Sequence, residues 1–198
     1  MQFIYFQLRL CFVLVLSSAV LYSLPSSDNS NNCKVVDNVV NIAKSYDGIK
    51  ETGKNRGSFI DKLNRFTKVP LGSPYCASFV SFVIDSADKI TPINCKIRYK
   101  VKSALAQKLR NKQTYSAKMV LDGKIYPKAS EVVIWQKGKT QFGHAGIVTK
   151  DWTETKGMTI QANTNKSAES RDGNGIYIKM AKINPFSYFR IVAFTPIN

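Results

Sequence analysis

A cysteine in the stretch GSPYCASFV, residues 72–80, has the surroundings of a reactive thiol. Cys76 follows a Gly-Ser-Pro turn and heads an apolar segment that predicts a helix. Amide N–H groups in a first helical turn have no intrahelical partner, and the helix dipole favours a thiolate there. We therefore expect the pKa of Cys76 to fall by about one unit or more, as a nucleophile requires. The alternative is a buried cysteine that packs as a small apolar side chain.

The only histidine of the chain, His144, lies in FGHAGIV at the start of a predicted strand. A single histidine is often a buried core residue. Opposite a thiol on a helix, however, an imidazole on a strand can take the thiol proton and later protonate the leaving amine, as in papain-like hydrolases. Such a ring needs a third group to orient it. The next predicted strand, TIQANTN, offers Gln161 and Asn163, two residues apart and therefore on one face.

The elements that must position these side chains fall into two halves of the chain. Helical spacing of apolar residues predicts helices in VVDNVVNIAKSYDG, SFIDKLNRF, CASFVSFVIDSADK and SALAQKLRNK. After residue 130 the pattern predicts strands in EVVIWQKG, AGIVTKDW, MTIQAN, GIYIKMAKI and FRIVAFTPI. Helices followed by strands indicate an α+β domain, with the N-terminal helices packed on a C-terminal antiparallel sheet.

The first 33 residues have a different composition. Residues 1–23 carry one basic residue, Arg9, followed by an apolar run and small residues, the pattern of a secretory signal peptide. An uncleaved signal anchor is the alternative, although the apolar run is short for a bilayer span. Residues 24–33 are expected to be a polar linker and residues 34–198 a single domain. No further stretch is apolar enough for a membrane span, so we expect no transmembrane domain after removal of the signal.

The chain is strongly basic, with a formal net charge of +16. Residues 96–112, KIRYKVKSALAQKLRNK, hold much of this charge. They are either a solvated helix face or a contact surface for an acidic partner, such as a cell-wall polymer or nucleic acid. No nucleic-acid-binding motif accompanies them, so a specific nucleic-acid partner is not expected.

Of the four cysteines, Cys11 leaves with the predicted signal peptide, and three remain in an oxidising compartment. Cys33 and Cys95 both lie in polar loop contexts. If they form a disulfide, Cys76 is the remaining free thiol. The sequence leaves this pairing open.

Two other hydrolytic chemistries fit less well. A zinc enzyme needs several imidazole or thiolate ligands, and the chain has a single histidine. A muramidase needs two paired carboxylates, and the contexts of Glu51 and Glu131 do not indicate such a pair. We therefore expect neither a metal nor another cofactor.

Three stretches together, GSPYCASFVSFVI, FGHAGIVT and TIQANTN, resemble in order and spacing the motifs of CHAP domains. These are cysteine- and histidine-dependent amidohydrolases and peptidases of bacterial and phage cell-wall lysis. The stretch IKETGKNRGSFIDKLNRF is similar to the Glu-Thr-Gly-x-Asn-x-Gly loop that often precedes the cysteine in bacterial and prophage members, and DGNGIYIKMAKI is similar to their closing hairpin. The resemblance extends from about residue 39 to residue 198.

This resemblance implies a papain-like fold in which Cys76 is the nucleophile, His144 the general base and Asn163 the group that orients the ring. Gln161 and Tyr75, which stand where the family commonly has Glu and Trp, are possible supporting residues. The implied function is amide or peptide bond hydrolysis in peptidoglycan or another anionic wall polymer. The protein would be a bacterial monomer, secreted or held in the periplasm or cell envelope. The departures leave a second interpretation open, a weakly active or inactive wall-binding protein.

Overall fold

The computed structural model describes residues 35–166 and 173–197. The predicted signal peptide, residues 1–23, and the predicted linker, residues 24–33, lie outside them. The helices are α1 (Val35–Lys44), α2 (Ser58–Phe66), α3 (Cys76–Ile90) and α4 (Ala117–Leu121), with short 3-10 helices at Ile93–Cys95 and Ala106–Leu109. The strands are β1 (Tyr115–Ser116), β2 (Val132–Lys137), β3 (Gly143–Val148), β4 (Lys156–Thr164), β5 (Gly175–Lys182) and β6 (Phe189–Thr195).

The six strands form one sheet in the order β1-β6-β2-β3-β4-β5, and every neighbouring pair is antiparallel. Three helices precede this sheet in the chain, which confirms the predicted α+β class. Within the part of the chain that the structure describes, no helix combines the length and hydropathy that a bilayer crossing needs.

Apolar side chains cover both faces of the sheet because successive strand residues point to opposite sides. One cluster joins the helices to the sheet and includes Phe79 and Val83 of α3 together with Ile134 and Ile147. A second cluster on the other face includes Val133, Trp135, Trp152 and Phe194. The strand segment around His144 therefore lies between two packed layers.

The basic segment differs from its predicted helix. Within SALAQKLRNK only Ala106–Leu109 is helical, and it is a single 3-10 turn. The Ser81 hydroxyl exchanges hydrogen bonds of 3.1 and 3.0 Å with the Ser103 backbone, and Oγ of Ser103 accepts the Leu105 N–H at 3.0 Å. These bonds to serine side chains take the place of the backbone bonds of a helix.

The cysteines occupy different environments. Cys76 is a free, buried cysteine, whereas Cys95 is disulfide-bonded. Cys33, the partner considered for Cys95 from the sequence, lies outside the described residues. Among the described cysteines, the free thiol is thus the one at the start of α3.

Candidate active site

The start of α3 carries the Cys76 thiol into the interior. Every residue from Cys76 to Ile84 is buried, and Cys76 itself is 6% exposed. Tyr75 is the N-cap residue, and its carbonyl accepts the first helical hydrogen bond from Phe79 at 2.8 Å. The thiol is therefore fixed at a helix start, as the sequence predicts.

Burial raises the pKa of the Cys76 thiol above its ordinary value. The backbone N–H groups of Ala145, Ala77 and Cys76 itself act in the opposite direction, but they do not compensate for the lost hydration. The expected fall in the pKa of Cys76 is therefore wrong, because the sequence indicates the helix start but not the depth of the thiol. At neutral pH this group is an uncharged thiol.

The Ala145 N–H is available to the thiol because of the strand register. Ala145 pairs with Ile134 on β2, three positions from the point where Lys137 donates to the Phe142 carbonyl at 3.0 Å. Hydrogen-bonded and non-bonded pairs alternate in an antiparallel ladder, so the Ala145 N–H points away from β2. The pairing of β3 with β4 begins only at the next residue. The Ala145 N–H therefore lies in a gap between β3 and β4, and this gap faces Cys76.

The His144 side chain is half-buried, and two aromatic rings lie beside it. The centroid of the His144 ring lies 5.2 Å from that of Trp135 and 6.3 Å from that of Phe189. Burial lowers the pKa of His144 to about 4, the hydrogen bond to Gln161 raises it by less, and the charge of Lys179 lowers it further. The ring is therefore neutral at pH 7 and able to accept a proton.

Gln161 orients the imidazole. Its Oε1 lies 3.1 Å from Nε2 of His144, and its Nε2 donates to Oγ1 of Thr159 at 2.8 Å. The Thr159 hydroxyl donates in turn to the Lys179 carbonyl at 3.2 Å. Because the amide nitrogen has its acceptor on Thr159, the amide oxygen faces the ring, and Nε2 of His144 must carry the hydrogen. The lone pair of the ring is then on Nδ1.

Gly146 makes room for Gln161 on the neighbouring strand. A Cβ atom at Gly146 would lie 2.8 Å from the Ile160 carbonyl oxygen and 3.0 Å from Cγ of Gln161. The second glycine of FGHAGIV therefore permits the close approach of the glutamine side chain. This is a signal in the sequence that could have selected Gln161 over its neighbour.

Asn163 occupies a different position from the one that the resemblance implies. A bulge interrupts the β4–β5 register between Ala162 and Thr164, and Asn163 has a φ of 56°. The regular alternation that would place Asn163 beside Gln161 ends at this bulge. The Asn163 backbone faces the hydroxyl of Tyr75, and the described hydrogen bond to the His144 ring is made by Gln161.

Glu51 is a residue of the site that sequence reasoning missed. Its Oε1 accepts a hydrogen bond from the Tyr75 hydroxyl at 2.8 Å, and its Oε2 accepts the Asn55 N–H at 2.9 Å. Tyr75 is fully buried, and burial followed by the Glu51 carboxylate raises its pKa. The stretch resembling the Glu-Thr-Gly-x-Asn-x-Gly loop was the signal, because it contains both Glu51 and Asn55.

Cys76 reaches the segment of β3 that carries His144. The thiol lies against the backbone of Ala145, the residue that follows His144. Among the contacts of the described residues, none is a hydrogen bond between the Cys76 thiol and the His144 ring. Catalytic hydrogen bonds often shorten only when substrate binds, so this arrangement is compatible with proton transfer.

The acidic side chains near these elements form pairs with tyrosines. Glu131 accepts a hydrogen bond from the Tyr115 hydroxyl at 2.5 Å, and burial raises the pKa of Glu131. Glu51 serves Tyr75 in the same way. Within residues 35–166 and 173–197, no group of three or more His, Cys, Asp and Glu side chains could hold a metal ion.

No protein-family model matches the sequence, and no curated protein matches it. The chemistry of the site therefore follows from its own contacts: a buried thiol, backbone N–H donors beside it, and a neutral imidazole held by an amide.

Proposed function

We propose that the chain is a secreted cysteine hydrolase that cleaves an amide or peptide bond of peptidoglycan. One observation carries the proposal: the free thiol of Cys76 lies against the Ala145 backbone, next to a neutral His144 that Gln161 orients. The resemblance of the surrounding motifs to CHAP domains supports the roles of Cys76 and His144. A papain-like packing of α3 against the sheet belongs to this proposal.

The reaction has two halves, formation of a thioester and its hydrolysis, and each half uses the Cys76 thiol and the His144 ring. Sγ of Cys76 attacks the carbonyl carbon while Nδ1 of His144 takes the thiol proton. The backbone N–H of Cys76 stabilises the negative charge on the carbonyl oxygen. The C–N bond then breaks, and His144 returns the proton to the leaving amine. Water, deprotonated by Nδ1, attacks the thioester and releases the acid, and the proton goes back to the thiolate.

The resting state of this pair is uncharged. The pKa of Cys76 lies above its ordinary value and that of His144 is about 4, so a thiolate–imidazolium pair is not favoured before substrate binds. Gln161 holds the ring but, as an amide, adds no negative charge to stabilise imidazolium. Proton transfer therefore accompanies attack on the carbonyl. This chemistry is weaker than that of a preformed ion pair.

The charge of the chain supports an anionic polymer as substrate. Residues 96–112 contain seven lysines and arginines. In the part of the chain that the structure describes, the single ion pair of this segment joins Lys100 to Asp88 at 2.8 Å. The other cations of this segment keep their charge unpaired by a carboxylate among the described residues and can attract the carboxylates and phosphates of a cell wall, and added salt should weaken that attraction.

The test is release of new amino groups from purified peptidoglycan. The wild-type protein is compared with Cys76→Ser and His144→Ala under reducing conditions, after thermal unfolding has shown that each variant is folded. Release by the wild type alone supports the proposal, and mass spectra of the fragments then identify the bond. Equal release by Cys76→Ser would refute the cysteine mechanism.

A wall-binding protein without hydrolytic activity is the second candidate. Two observations favour it: the thiol and the ring share no described hydrogen bond, and an amide replaces the carboxylate that is common at the position of Gln161. Retention of the wild type and of Cys76→Ser on insoluble peptidoglycan, with no amino groups released by either, would select this candidate. Salt-dependent retention is expected under both proposals, so release decides between them.

A further inference from the structure

The Glu51 carboxylate has an unusual set of partners for so basic a chain. The sequence has 29 lysines and arginines against 13 acidic residues. The described hydrogen bonds of the Glu51 side chain nevertheless come from the Tyr75 hydroxyl, at 2.8 Å, and the Asn55 N–H, at 2.9 Å. Both oxygens of this carboxylate are thus used inside the protein rather than on a surface cation.

Tyr75 connects Glu51 to the nucleophile. It is fully buried and immediately precedes Cys76, with φ −120° and ψ 10°. Its carbonyl accepts the Phe79 N–H at 2.8 Å and so begins α3, while its hydroxyl is held by Glu51. Both ends of the residue are fixed, and a rotation at Tyr75 would move the Cys76 thiol.

The rest of the turn before Cys76 is held by two asparagines. Nδ2 of Asn55 donates to the Gly72 carbonyl at 3.0 Å, and Nδ2 of Asn64 donates to the Ser73 carbonyl at 3.2 Å. Asn55 reaches its acceptor from a left-handed backbone conformation with a φ of 52°. The loop that contains Glu51 therefore holds the turn at the Gly72 carbonyl as well as at the Tyr75 hydroxyl, and α2 holds it at the Ser73 carbonyl.

The same loop is attached to the sheet. The Glu51 N–H donates to the Asn174 carbonyl at 2.9 Å, and Ile176 of β5 donates to the Ile49 carbonyl at 2.9 Å. β5 pairs with β4, which carries Gln161. Hydrogen bonds therefore connect the turn before Cys76, through the Glu51 loop, to the strands that hold His144.

We infer that Glu51 and Tyr75 are positioning residues that set the Cys76 thiol relative to His144. The inference rests on the proposed function, because it takes Cys76 as the nucleophile. A displacement of reacting groups by about 1 Å can lower a rate by two orders of magnitude. Removal of the hydroxyl from Tyr75 should therefore reduce turnover about tenfold or more, with little change in KM.

A second tyrosine–carboxylate pair provides a matched control. The Tyr115 hydroxyl donates to the Glu131 carboxylate at 2.5 Å, and Tyr115 belongs to the apolar cluster on the other face of the sheet. Tyr115→Phe removes the same chemical group from a buried tyrosine–carboxylate pair. It reports the effect of lost stability without a connection to the turn before Cys76.

The experiment compares Tyr75→Phe and Glu51→Gln with Tyr115→Phe and Glu131→Gln. Three quantities are measured: the melting temperature, kcat and KM on peptidoglycan, and the pH profile of Cys76 alkylation by iodoacetamide. All four variants should lower the melting temperature. Only the first two should lower kcat and shift the alkylation profile, whereas the control pair should stay within about twofold of the wild type.

The outcomes separate this inference from the proposed function. If the wild type releases nothing from peptidoglycan, the proposed function fails, and the alkylation profile alone tests the positioning role. If the wild type is active, the positioning role is refuted when Tyr75→Phe and Glu51→Gln match the control pair in both kcat and the alkylation profile. If the wild type is inactive, it is refuted when they match the control pair in the alkylation profile.

Discussion

The titration of His144 is the sharpest test of the site, because the chain has a single histidine. Its ring proton can be followed by NMR in the untagged protein without assignment of other residues. Burial, the largest cause, lowers the pKa of His144 to about 4, so we expect a midpoint near pH 4 rather than 6.5. A midpoint at or above pH 6 would refute the conclusion that the lost hydration of the ring keeps it neutral.

Gln161→Glu should move that midpoint upward by an amount that the geometry bounds. Oε1 of Gln161 lies 3.1 Å from Nε2 of His144. At an effective dielectric constant of about 20, a unit charge at that separation is worth at most about 5 kcal/mol, and desolvation of the new carboxylate takes up part of this. An opposite charge this close typically raises a pKa by about 1 to 3 units, which places the new midpoint between about pH 5 and 7.

Gln136→Glu is the matched control for this experiment. Gln136 lies on β2 next to Trp135, and its Nε2 donates to the Thr140 carbonyl at 2.8 Å rather than to the ring. The same new charge there should move the His144 midpoint by only a few tenths of a unit, because an exposed site screens it. Equal shifts in the two variants would contradict the contact between Gln161 and Nε2.

The same titration predicts how stability depends on pH. The folded-state pKa of His144 is lower than the unfolded value of 6.5, so the unfolded chain binds the proton more readily between the two. The stability that neutral His144 contributes is complete above pH 6.5 and is lost as the pH falls through about 4. The total loss in the free energy of unfolding is about 3 kcal/mol. Urea unfolding at several pH values measures it. If the free energy of unfolding changes between pH 7 and pH 4 only by the amount that the protonation of carboxylates explains, this account is wrong.

Three further predictions follow from contacts of the site. Gly146→Ala should displace Gln161, lower the free energy of unfolding by about 1–3 kcal/mol in urea titrations, and change the His144 midpoint; an unchanged midpoint would contradict it. Asn163→Gly relieves a left-handed backbone and should change stability by less than about 1 kcal/mol. It should also leave the NMR titration of His144 unchanged, unlike Gln161→Ala. Alkylation of Cys76 by iodoacetamide should be slow at pH 7 and rise only above the pH range of ordinary cysteines, since burial raises its pKa; rapid reaction at pH 7 would disprove this.

The main elements could be predicted from the sequence because their apolar spacing is regular. The predicted helices SFIDKLNRF and CASFVSFVIDSADK correspond to Ser58–Phe66 and Cys76–Ile90, and five predicted strands correspond to β2 to β6. Tyr115–Ser116 and Ala117–Leu121 are too short to leave a periodic signal. The predicted helix in residues 103–112 was mostly wrong because the Ser103 backbone bonds to the Ser81 side chain of α3 instead.

The residues of the candidate site, too, could be predicted only in part. The residue types in GSPYCASFV and FGHAGIV identify Cys76 and His144, because helix starts and strand starts are local features. The choice between Gln161 and Asn163 depends on a bulge, and bulges have no reliable pattern in a single sequence. The direction of the pKa shift of Cys76 depends on how many groups pack around the thiol, which only the assembled fold determines.

The hydrogen bonds that start at Nε2 of His144 leave Nδ1 as the ring nitrogen that can exchange protons. From Nε2 these bonds pass through Gln161 and Thr159 and end at the Lys179 carbonyl, a group that neither releases nor stores a proton. Protons consequently cannot leave the ring on that side. In the proposed reaction, the proton that His144 takes from Cys76 must therefore leave through the same nitrogen that received it. The leaving group and the incoming water would therefore have to visit one shared position in turn, so that the exit of the first product sets when the second half of the reaction can begin.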